Sequence, residues 1–255
     1  MPRYQGPAAK RIVTPINRQG AKAMTRRVLT VLAAACLLGS VAPQAGAAAP
    51  PATWDGLSNV KSKRFDAAYV LPGSDFRVYT KVMLDPTEVA FRKNWVRDYN
   101  NDAMDLSQRI DKDDAQKMLN MVSTGFEEIF HKAYTNAGYQ VVTQPGPDVL
   151  RVRTGVANLY VTAPDRPTAG RSRTFSDEAG SATVVIEVRD SETGALLGRA
   201  VDSRTAGDTG PFMRNSVTNR ADFSQLFERW AKISVEAMAE LKAMSPIPEN
   251  PTAAR

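Results

Sequence analysis

The sequence predicts an α+β fold of two layers, with a mostly antiparallel sheet and two amphipathic helices on one of its faces. Two observations support this prediction. Segments that alternate apolar and polar residues, as strands do, occur before and between two segments with helical periodicity. Each helical segment has a single apolar stripe, so each can bury only one side, and a sheet is the surface that remains to cover it.

The first strand is predicted in DFRVYTKVMLD, residues 75–85, where polar and apolar residues alternate. Five of its residues would share one face: Phe76, Val78, Thr80, Val82 and Leu84. The polar stretch that follows, residues 92–110, has no clean period and predicts no regular element. A helix then begins after Asp111, which can act as its N-cap with Asp114 three residues later, and ends at Gly138.

The second half of the chain begins with a long strand, VLRVRTGVANLYV, over residues 149–161. Its apolar residues Leu150, Val152 and Val156 fall on one face, and Arg151 and Arg153 fall on the other. A strand of this kind covers the core with one side and meets solvent with the opposite side.

A β-hairpin is predicted in ATVVIEVRDSETGALLGRAVD, residues 182–202, with Gly194 in the turn because glycine accepts positive φ. Glu187 and Arg189 would lie on the polar face and pair across the strands with Arg199 and its neighbours. We interpret this hairpin as a packing device rather than as an active site.

The last helix is predicted from Asn219 to Met244, with Asn219 and Asp222 as its capping residues and Pro246 beyond its end. Its apolar stripe includes Phe227 and Trp230, which we expect in the core. The predicted organisation is therefore a leader (1–47), a linker (48–64), one α+β domain (65–244) and a flexible tail (245–255).

The leader has the pattern of a secretory signal peptide that starts at Met24. Two arginines follow this methionine, then an apolar run over residues 28–42, then the small-x-small triplet Ala45-Gly46-Ala47. The run is shorter than the roughly 20 residues that span a bilayer. We expect Met24 to be the true start and cleavage between Ala47 and Ala48, which would place the protein in the periplasm or at the outer membrane.

The single cysteine, Cys36, leaves two alternatives open. It either leaves with the signal peptide, so that the mature protein has no thiol, or carries the lipid of a bacterial lipoprotein. Leu32 stands four residues before Cys36, whereas a lipoprotein signal prefers leucine three residues before it.

The basic character of the chain belongs to the leader. The whole chain has a formal net charge of +6, but the leader holds seven basic and no acidic residues, which leaves 26 basic against 27 acidic residues from Ala48 onward. A nucleic-acid partner is therefore not expected, and any contact with a membrane would be through a lipid on Cys36.

Motifs for known chemistries are weak or absent. The only histidine, His131, falls on the polar side of its helix, and no G-x-S-x-G, P-loop or dinucleotide fingerprint occurs. Asp98, Asn100 and Asp102 fit the first positions of a calcium loop, but Ala103 and Arg109 replace the glycine and glutamate that such a loop needs. We predict no catalytic residue, no metal and no cofactor.

Three segments together resemble a known family. They are YTKVMLDPTEV, VVTQPGPDVLRVRTGVANL and VVIEVRDSETGALLGRAVDSRTAG, with a helix between the first two and another at the end. In this order they resemble the bacterial domain of unknown function 3313, over residues 65–243. The resemblance implies an envelope protein, often a lipoprotein, and carries over no catalytic residue, because no activity is established for the family.

These observations favour an exported, non-catalytic envelope protein that binds another envelope component, either a protein or the cell wall, through its sheet edge or polar loops. The alternative is a hydrolase that acts on cell-wall or peptide substrates through loop carboxylates. Its candidate residues are Asp85, Glu88 and Asp98, because carboxylates at strand ends and in loops are where such chemistry would lie.

Overall fold

The computed structural model describes residues 50–103, 105–162, 174–176, 178–207, 212–214 and 216–251. The helices are α1 (Trp95–Asp102), α2 (Lys112–Asn136) and α3 (Ser216–Met244). The strands are β1 (Thr53–Trp54), β2 (Leu57–Val60), β3 (Ala67–Val70), β4 (Lys81–Leu84), β5 (Glu88–Phe91), β6 (Gln140–Val141), β7 (Val149–Val161), β8 (Thr174–Ser176), β9 (Gly180–Asp190), β10 (Leu196–Ala206) and β11 (Phe212–Arg214).

Nine of these strands form one mixed sheet in the order β1-β2-β3-β10-β9-β7-β4-β6, with β5 also paired to β7. The pairs from β1 to β7 are antiparallel, whereas β4 and β5 run parallel to β7, and β4 runs parallel to β6. Parallel neighbours need a long crossover, and α1 and α2 supply it. The predicted α+β class with a mostly antiparallel sheet is confirmed, and the described residues contain three helices in place of the two predicted.

The start of α2 agrees with the prediction from the sequence. The Asp111 side chain accepts from the backbone N–H of Asp114 at 2.8 Å, and the Asp114 side chain accepts in return from the backbone N–H of Asp111, which makes a capping box. After the helix, Gly138 adopts a φ of +88°, a left-handed conformation that glycine enters without a Cβ clash. Phe126, Phe130 and Tyr134 form the buried stripe of α2.

The last helix begins at Ser216, so Asn219 lies inside it and is not its cap. The predicted core residues of this helix are confirmed: Trp230 is 0 % exposed and Phe227 is 4 % exposed. Their rings stack on each other with centroids 6.0 Å apart, and the Phe227 ring meets Phe126 of α2 edge-on. This aromatic contact joins the two long helices above the sheet.

The predicted hairpin is formed by β9 and β10, with Arg199 opposite Glu187 and Val201 opposite Val185. Gly194 in its turn has a φ of +72°. On β9, Ala182, Val184, Ile186 and Val188 are buried in the core with the helices. Leu150, Val152 and Val156 of β7 continue the same buried surface, as the sequence pattern predicts.

The strand predicted over residues 75–85 is interrupted. Asp75 caps a short 3-10 turn, Phe76–Val78, and regular pairing starts only at Lys81. The turn changes the alternation, so Val78 is 52 % exposed and Tyr79 is buried, with its hydroxyl donating to Asp190 at 2.9 Å. The expected single face from Phe76 to Leu84 is therefore wrong in its first half.

Helix α1 lies in the polar stretch for which no element is predicted. It has only eight residues, too few for a clear helical period. Its first residue, Trp95, is 2 % exposed and stacks on Phe91 of β5, with ring centroids 4.4 Å apart. Val96 and Tyr99 pack partly buried against the same core, so a short aromatic cluster, and not a long apolar stripe, holds this helix.

Two segments predicted as linker and tail take part in the fold. Residues 48–64 contain β1 and β2, and Leu57 is fully buried. In the tail, Ile247 is 3 % exposed, its N–H donates to the Ser74 carbonyl at 2.8 Å, and its carbonyl accepts from the Gly73 N–H at 2.9 Å. The polar composition of both segments predicted a linker and a flexible tail. Short polar segments can nevertheless be part of a fold, because their backbone groups can form hydrogen bonds with a neighbouring strand or turn.

Candidate interaction face

The side of the sheet opposite α2 and α3 carries the candidate site, and we call it the open face. It is formed by the alternate residues of the central strands, which point away from the buried core. On β9 these residues are partly exposed: Ser181, Thr183, Val185, Glu187 and Arg189. The arginines of β7 lie on the same face, as the strand alternation predicts.

Oppositely charged residues form a row across three neighbouring strands of the open face, and a tyrosine of a fourth strand continues it. In register, Arg153 of β7 lies opposite Glu187 of β9, Glu187 opposite Arg199 of β10, and Arg199 opposite Tyr69 of β3. Directly opposed residues on one face are close enough to interact. The backbone pairing therefore fixes the spacing of these charges.

Glu187 is the centre of this row. Its Oε1 accepts from Nε and Nη2 of Arg199 at 3.0 and 2.7 Å, and its Oε2 accepts from Nε and Nη2 of Arg189 at 3.1 and 2.8 Å. Partial burial alone would raise the pKa of Glu187, but the hydrogen bonds and charges of these two arginines outweigh it and lower that pKa. The predicted cross-strand pairing of Glu187 with Arg199 is confirmed, whereas Arg189 pairs with Glu187 of its own strand instead of across the strands.

Arg199 also connects the row to the edge of the sheet. Its Nη1 donates to Asp55 at 2.8 Å, and its guanidinium lies 4.2 Å from the centroid of the Trp54 ring, in a cation–π contact. The Trp54 ring meets Tyr69 edge-on at 5.5 Å. Trp54 stays 40 % exposed, so an aromatic surface borders the charged row.

The opposite end of the open face carries Arg151 and Arg153. Both oxygens of Asp85 accept from Nε of Arg151 at 2.9 Å. Arg153 makes two longer ion pairs, from Nε to Asp85 at 3.5 Å and from Nη2 to Glu88 at 3.6 Å. The side chains of the two arginines are 42 % and 46 % exposed, so both guanidinium groups reach solvent.

The structure brings together two of the three carboxylates considered for a hydrolase. Asp85 and Glu88 share Arg153, but Asp98 lies on α1, where it pairs with Arg97 at 2.9 Å. Asp85 is held by Arg151, and Glu88 is 84 % exposed in the side chain. Two shallow depressions on the helix surfaces are lined by other residues, among them Lys132, Glu228 and Val217.

The remaining sequence candidates have structural partners or lie outside the described residues. His131 is exposed on α2, and Asn100 of the calcium-like loop bonds both backbone groups of Ile110, at 2.7 and 2.8 Å. In the part of the chain that the structure describes, no group of three or more His, Cys, Asp or Glu could hold a metal ion. Cys36, Ala47 and Ala48 lie outside the described residues.

Sequence reasoning missed one buried charged group. Asp202 of β10 is 0 % exposed on the helix side of the sheet, where it accepts from the indole N–H of Trp230 at 2.8 Å and from Nε of Arg204 at 2.7 Å. The sequence signal that could have indicated this ion pair is the spacing of Asp202 and Arg204, which lie two residues apart and so on one face of the strand. The second partner, Trp230 on α3, could not be predicted from the spacing of residues, because it is distant in the sequence.

The fold and the open face define the class of the protein: an α+β domain that presents ion-paired arginines on a sheet face away from its helices. The chain belongs to the family described as protein of unknown function (DUF3313), whose model matches residues 44–233. The resemblance found in the sequence is thereby confirmed.

Solved structures show only distant likeness. A PelC dodecamer from Paraburkholderia phytofirmans is 14 % identical, with 64 % of this chain and 96 % of that chain covered and a TM-score of 0.29. A DUF330 protein from Xanthomonas campestris is 10 % identical, with 68 % and 91 % covered and a TM-score of 0.32. A minor lipoprotein from Acinetobacter baumannii is 10 % identical, with 65 % and 94 % covered and a TM-score of 0.25.

These scores are too low to support an argument about this chain. Among curated proteins no match is found. Within the described residues, none of the helices combines the length and apolar character that crossing a bilayer requires.

Proposed function

We propose that the protein is an exported envelope protein that binds another envelope component through the open face of its sheet. The observation that carries the binding part is the charged row of the open face, in which Arg153 stays 46 % exposed in its side chain and which the 40 % exposed Trp54 borders. Arginine, tryptophan and tyrosine are the residues that contribute most at protein interfaces. A rigid sheet holds them in place before a partner arrives, which lowers the entropy cost of binding.

The sequence of the leader supports the export part. Arg26 and Arg27, the apolar run and the Ala45-Gly46-Ala47 triplet together fit a cleaved signal peptide. Whether the protein is located in the periplasm or at the outer membrane depends on whether Cys36 is removed with the signal peptide or lipidated. A lipid would hold the protein at a membrane, because each buried CH₂ of an acyl chain adds about 0.8 kcal/mol of membrane affinity.

Export is tested by fractionating cells that produce the protein with an epitope tag at its C-terminus. We expect the tagged chain in the envelope fractions, shortened at its N-terminus. Labelled palmitate distinguishes the two forms, because only a lipoprotein incorporates the label and loses it in Cys36→Ser. An uncleaved chain in the cytoplasm would contradict export.

Binding through the open face is tested by placing a photo-crosslinking amino acid at single positions in intact cells. Ser203 is an exposed position on the open face, and Lys132 on α2 is its matched control on the helix side. We expect a discrete crosslinked product from position 203 and none from position 132. Products from both positions, or from 132 alone, would assign the contact elsewhere.

The same strains test the hydrolase alternative. If no crosslinked product forms, and cell-wall or peptide substrates are turned over by the purified protein but not by Asp85→Asn, binding through the open face is the wrong function. We expect a crosslinked product and no turnover, because both oxygens of Asp85 accept hydrogen bonds from Arg151.

A further inference from the structure

We propose that Arg151 and Arg153 bind an extended acidic peptide segment with carboxylates on alternate residues. This inference rests on the proposed function, because it assigns a class of partner to the open face. The site lies at the end of the face where β7 meets β4 and β5.

The spacing of the two arginines matches an extended peptide. They lie two residues apart on the same face of β7, so their Cα atoms are about 6.6–7 Å apart along the strand. Side chains on one side of an extended peptide repeat at the same distance. A segment lying along β7 would therefore place one carboxylate on each guanidinium group.

Both arginines retain donors for a partner. The two terminal amino groups of Arg151 have no hydrogen-bond partner within the described residues, because its bonds to Asp85 use Nε alone. The ion pairs of Arg153, at 3.5 and 3.6 Å, are longer than the roughly 2.8 Å of a charge-assisted hydrogen bond. By contrast, Arg189 and Arg199 each direct Nε, Nη1 and Nη2 at protein acceptors.

The local charge favours an anion at this end of the face. Arg151 lies directly opposite Arg189 in the register of β7 and β9, and like charges in this arrangement repel each other. Arg151 and Arg153 share the single carboxylate of Asp85, which balances only one of their two charges. Glu88 is 84 % exposed, and an incoming carboxylate can displace such a solvated side chain at little cost.

The test measures fluorescence anisotropy of labelled peptides with the purified full-length chain. One peptide alternates Ser and Glu. A second has the same length and composition as repeats of Ser-Ser-Glu-Glu, in which adjacent carboxylates lie on opposite sides of an extended chain and no two Glu residues are two positions apart. We expect the alternating peptide to bind about tenfold more tightly, since it satisfies two guanidinium groups in place of one.

Variants assign the binding to the two arginines. Arg153→Gln and Arg151→Gln should each weaken the alternating peptide about tenfold, and Arg153→Lys should also weaken it, because lysine has no planar fork for a carboxylate. Arg97→Gln on α1 removes the same charge away from the open face and should leave the affinity unchanged. The thermal midpoint of each variant checks its folding, and Arg153→Gln is the safer variant because Arg151 retains Asp85.

Equal affinity for the two peptides, or equal loss in Arg97→Gln, would overturn the proposal in favour of unspecific charge attraction. Binding of a polyuronate or of anionic vesicles in place of either peptide would overturn it in favour of another class of anion. The proposed function can fail independently of this proposal. That is the result if the alternating peptide binds to the purified chain but position 203 gives no crosslink in cells.

Discussion

A single buried carboxylate joins the last helix to the sheet. Asp202 stands on the helix side of β10, where its neighbours are apolar, and it has no exposed surface. Burying an ionised carboxylate is costly unless it is hydrogen-bonded and paired, and Trp230 and Arg204 supply both kinds of contact. This pairing also joins α3 to β10, because the indole N–H belongs to the helix and the carboxylate to the strand.

Replacing the ring that packs in this position should strongly destabilise the fold. We expect Trp230→Ala to lower the free energy of unfolding by about 3–5 kcal/mol, because the change leaves a cavity and removes one hydrogen bond from Asp202. Urea denaturation followed by circular dichroism measures the loss. Trp54→Ala is the matched control, since that ring is 40 % exposed, and an equal loss in the two variants would contradict the assignment of Trp230 to the core.

The carboxylate at the centre of the charged row should make stability depend on pH. The pKa of Glu187 is lowered in the folded protein, and the pKa of an unfolded Glu is about 4.3. The ion pairs therefore contribute fully above pH of about 4.3, and the contribution is lost as the pH falls through the lowered pKa. We expect Glu187→Gln to cost about 1–2 kcal/mol at pH 7 and progressively less in acid.

Unfolding in urea at a series of pH values checks this prediction. Glu88→Gln is the control, because its side chain is 84 % exposed and its removal should change stability by less than about 0.5 kcal/mol at any pH. A cost of Glu187→Gln that stays constant down to strongly acid pH would show that the ion pairs do not cause it.

At the scale of elements, prediction succeeded where local rules decide the structure. The capping box of α2 and the β9–β10 hairpin use neighbouring residues, and the pairing of Glu187 with Arg199 follows from that hairpin. The contact of Asp85 with Arg151 depends on the parallel register of β4 and β7, which distant segments set. The face of the two arginines could be predicted, but their carboxylate partners could not.

One glycine shows how closely neighbouring elements approach. Gly180 begins β9 with a φ of +154°, opposite Val161, and a Cβ placed there would lie 1.9 Å from the Tyr160 carbonyl oxygen and 2.9 Å from Phe223. Those contacts are shorter than real Cβ atoms make. Only glycine fits where β7, with its irregular pairing after Ala157, passes under α3.

We expect Gly180→Ala to lower the free energy of unfolding by about 3 kcal/mol or more, because the backbone must move to relieve the clash. Gly194→Ala is the comparison, since its φ is also positive but nothing lies within 4 Å of the added Cβ, so it should cost about 1–2 kcal/mol. Chemical denaturation of both variants tests the difference. Equal losses of unfolding free energy in the two variants would mean that the positive φ of Gly180, and not its close contact with Tyr160 and Phe223, causes the destabilisation.

For the molecule as a whole, the described part of the chain after its last helix belongs to the fold. Ser245 accepts from the Phe76 N–H at 2.9 Å, and Ile247 fills a buried position beside Gly73 and Ser74. These contacts join the end of α3 to the segment before β4. They explain why a Pro-rich, polar segment is nevertheless ordered.

A chain that ends at Met244 should therefore be less stable, by about 2–5 kcal/mol, the cost of losing one large buried aliphatic side chain. A chain that ends at Pro251 keeps these contacts and is the control. The thermal midpoints of the two truncated proteins measure the effect. An unchanged midpoint after removal of residues 245–255 would show that the segment contributes nothing to the fold.

The mixed pairing of β7 has a consequence for the order in which the chain folds. Its contacts with β9 join segments separated by residues 162–179, whereas those with β4 must close a longer stretch of chain that contains all of α1 and α2. Closing longer loops costs more entropy, so the antiparallel half should form in the transition state and the parallel half later. In stopped-flow refolding, Val184→Ala should then mainly slow folding, and Val82→Ala should mainly accelerate unfolding.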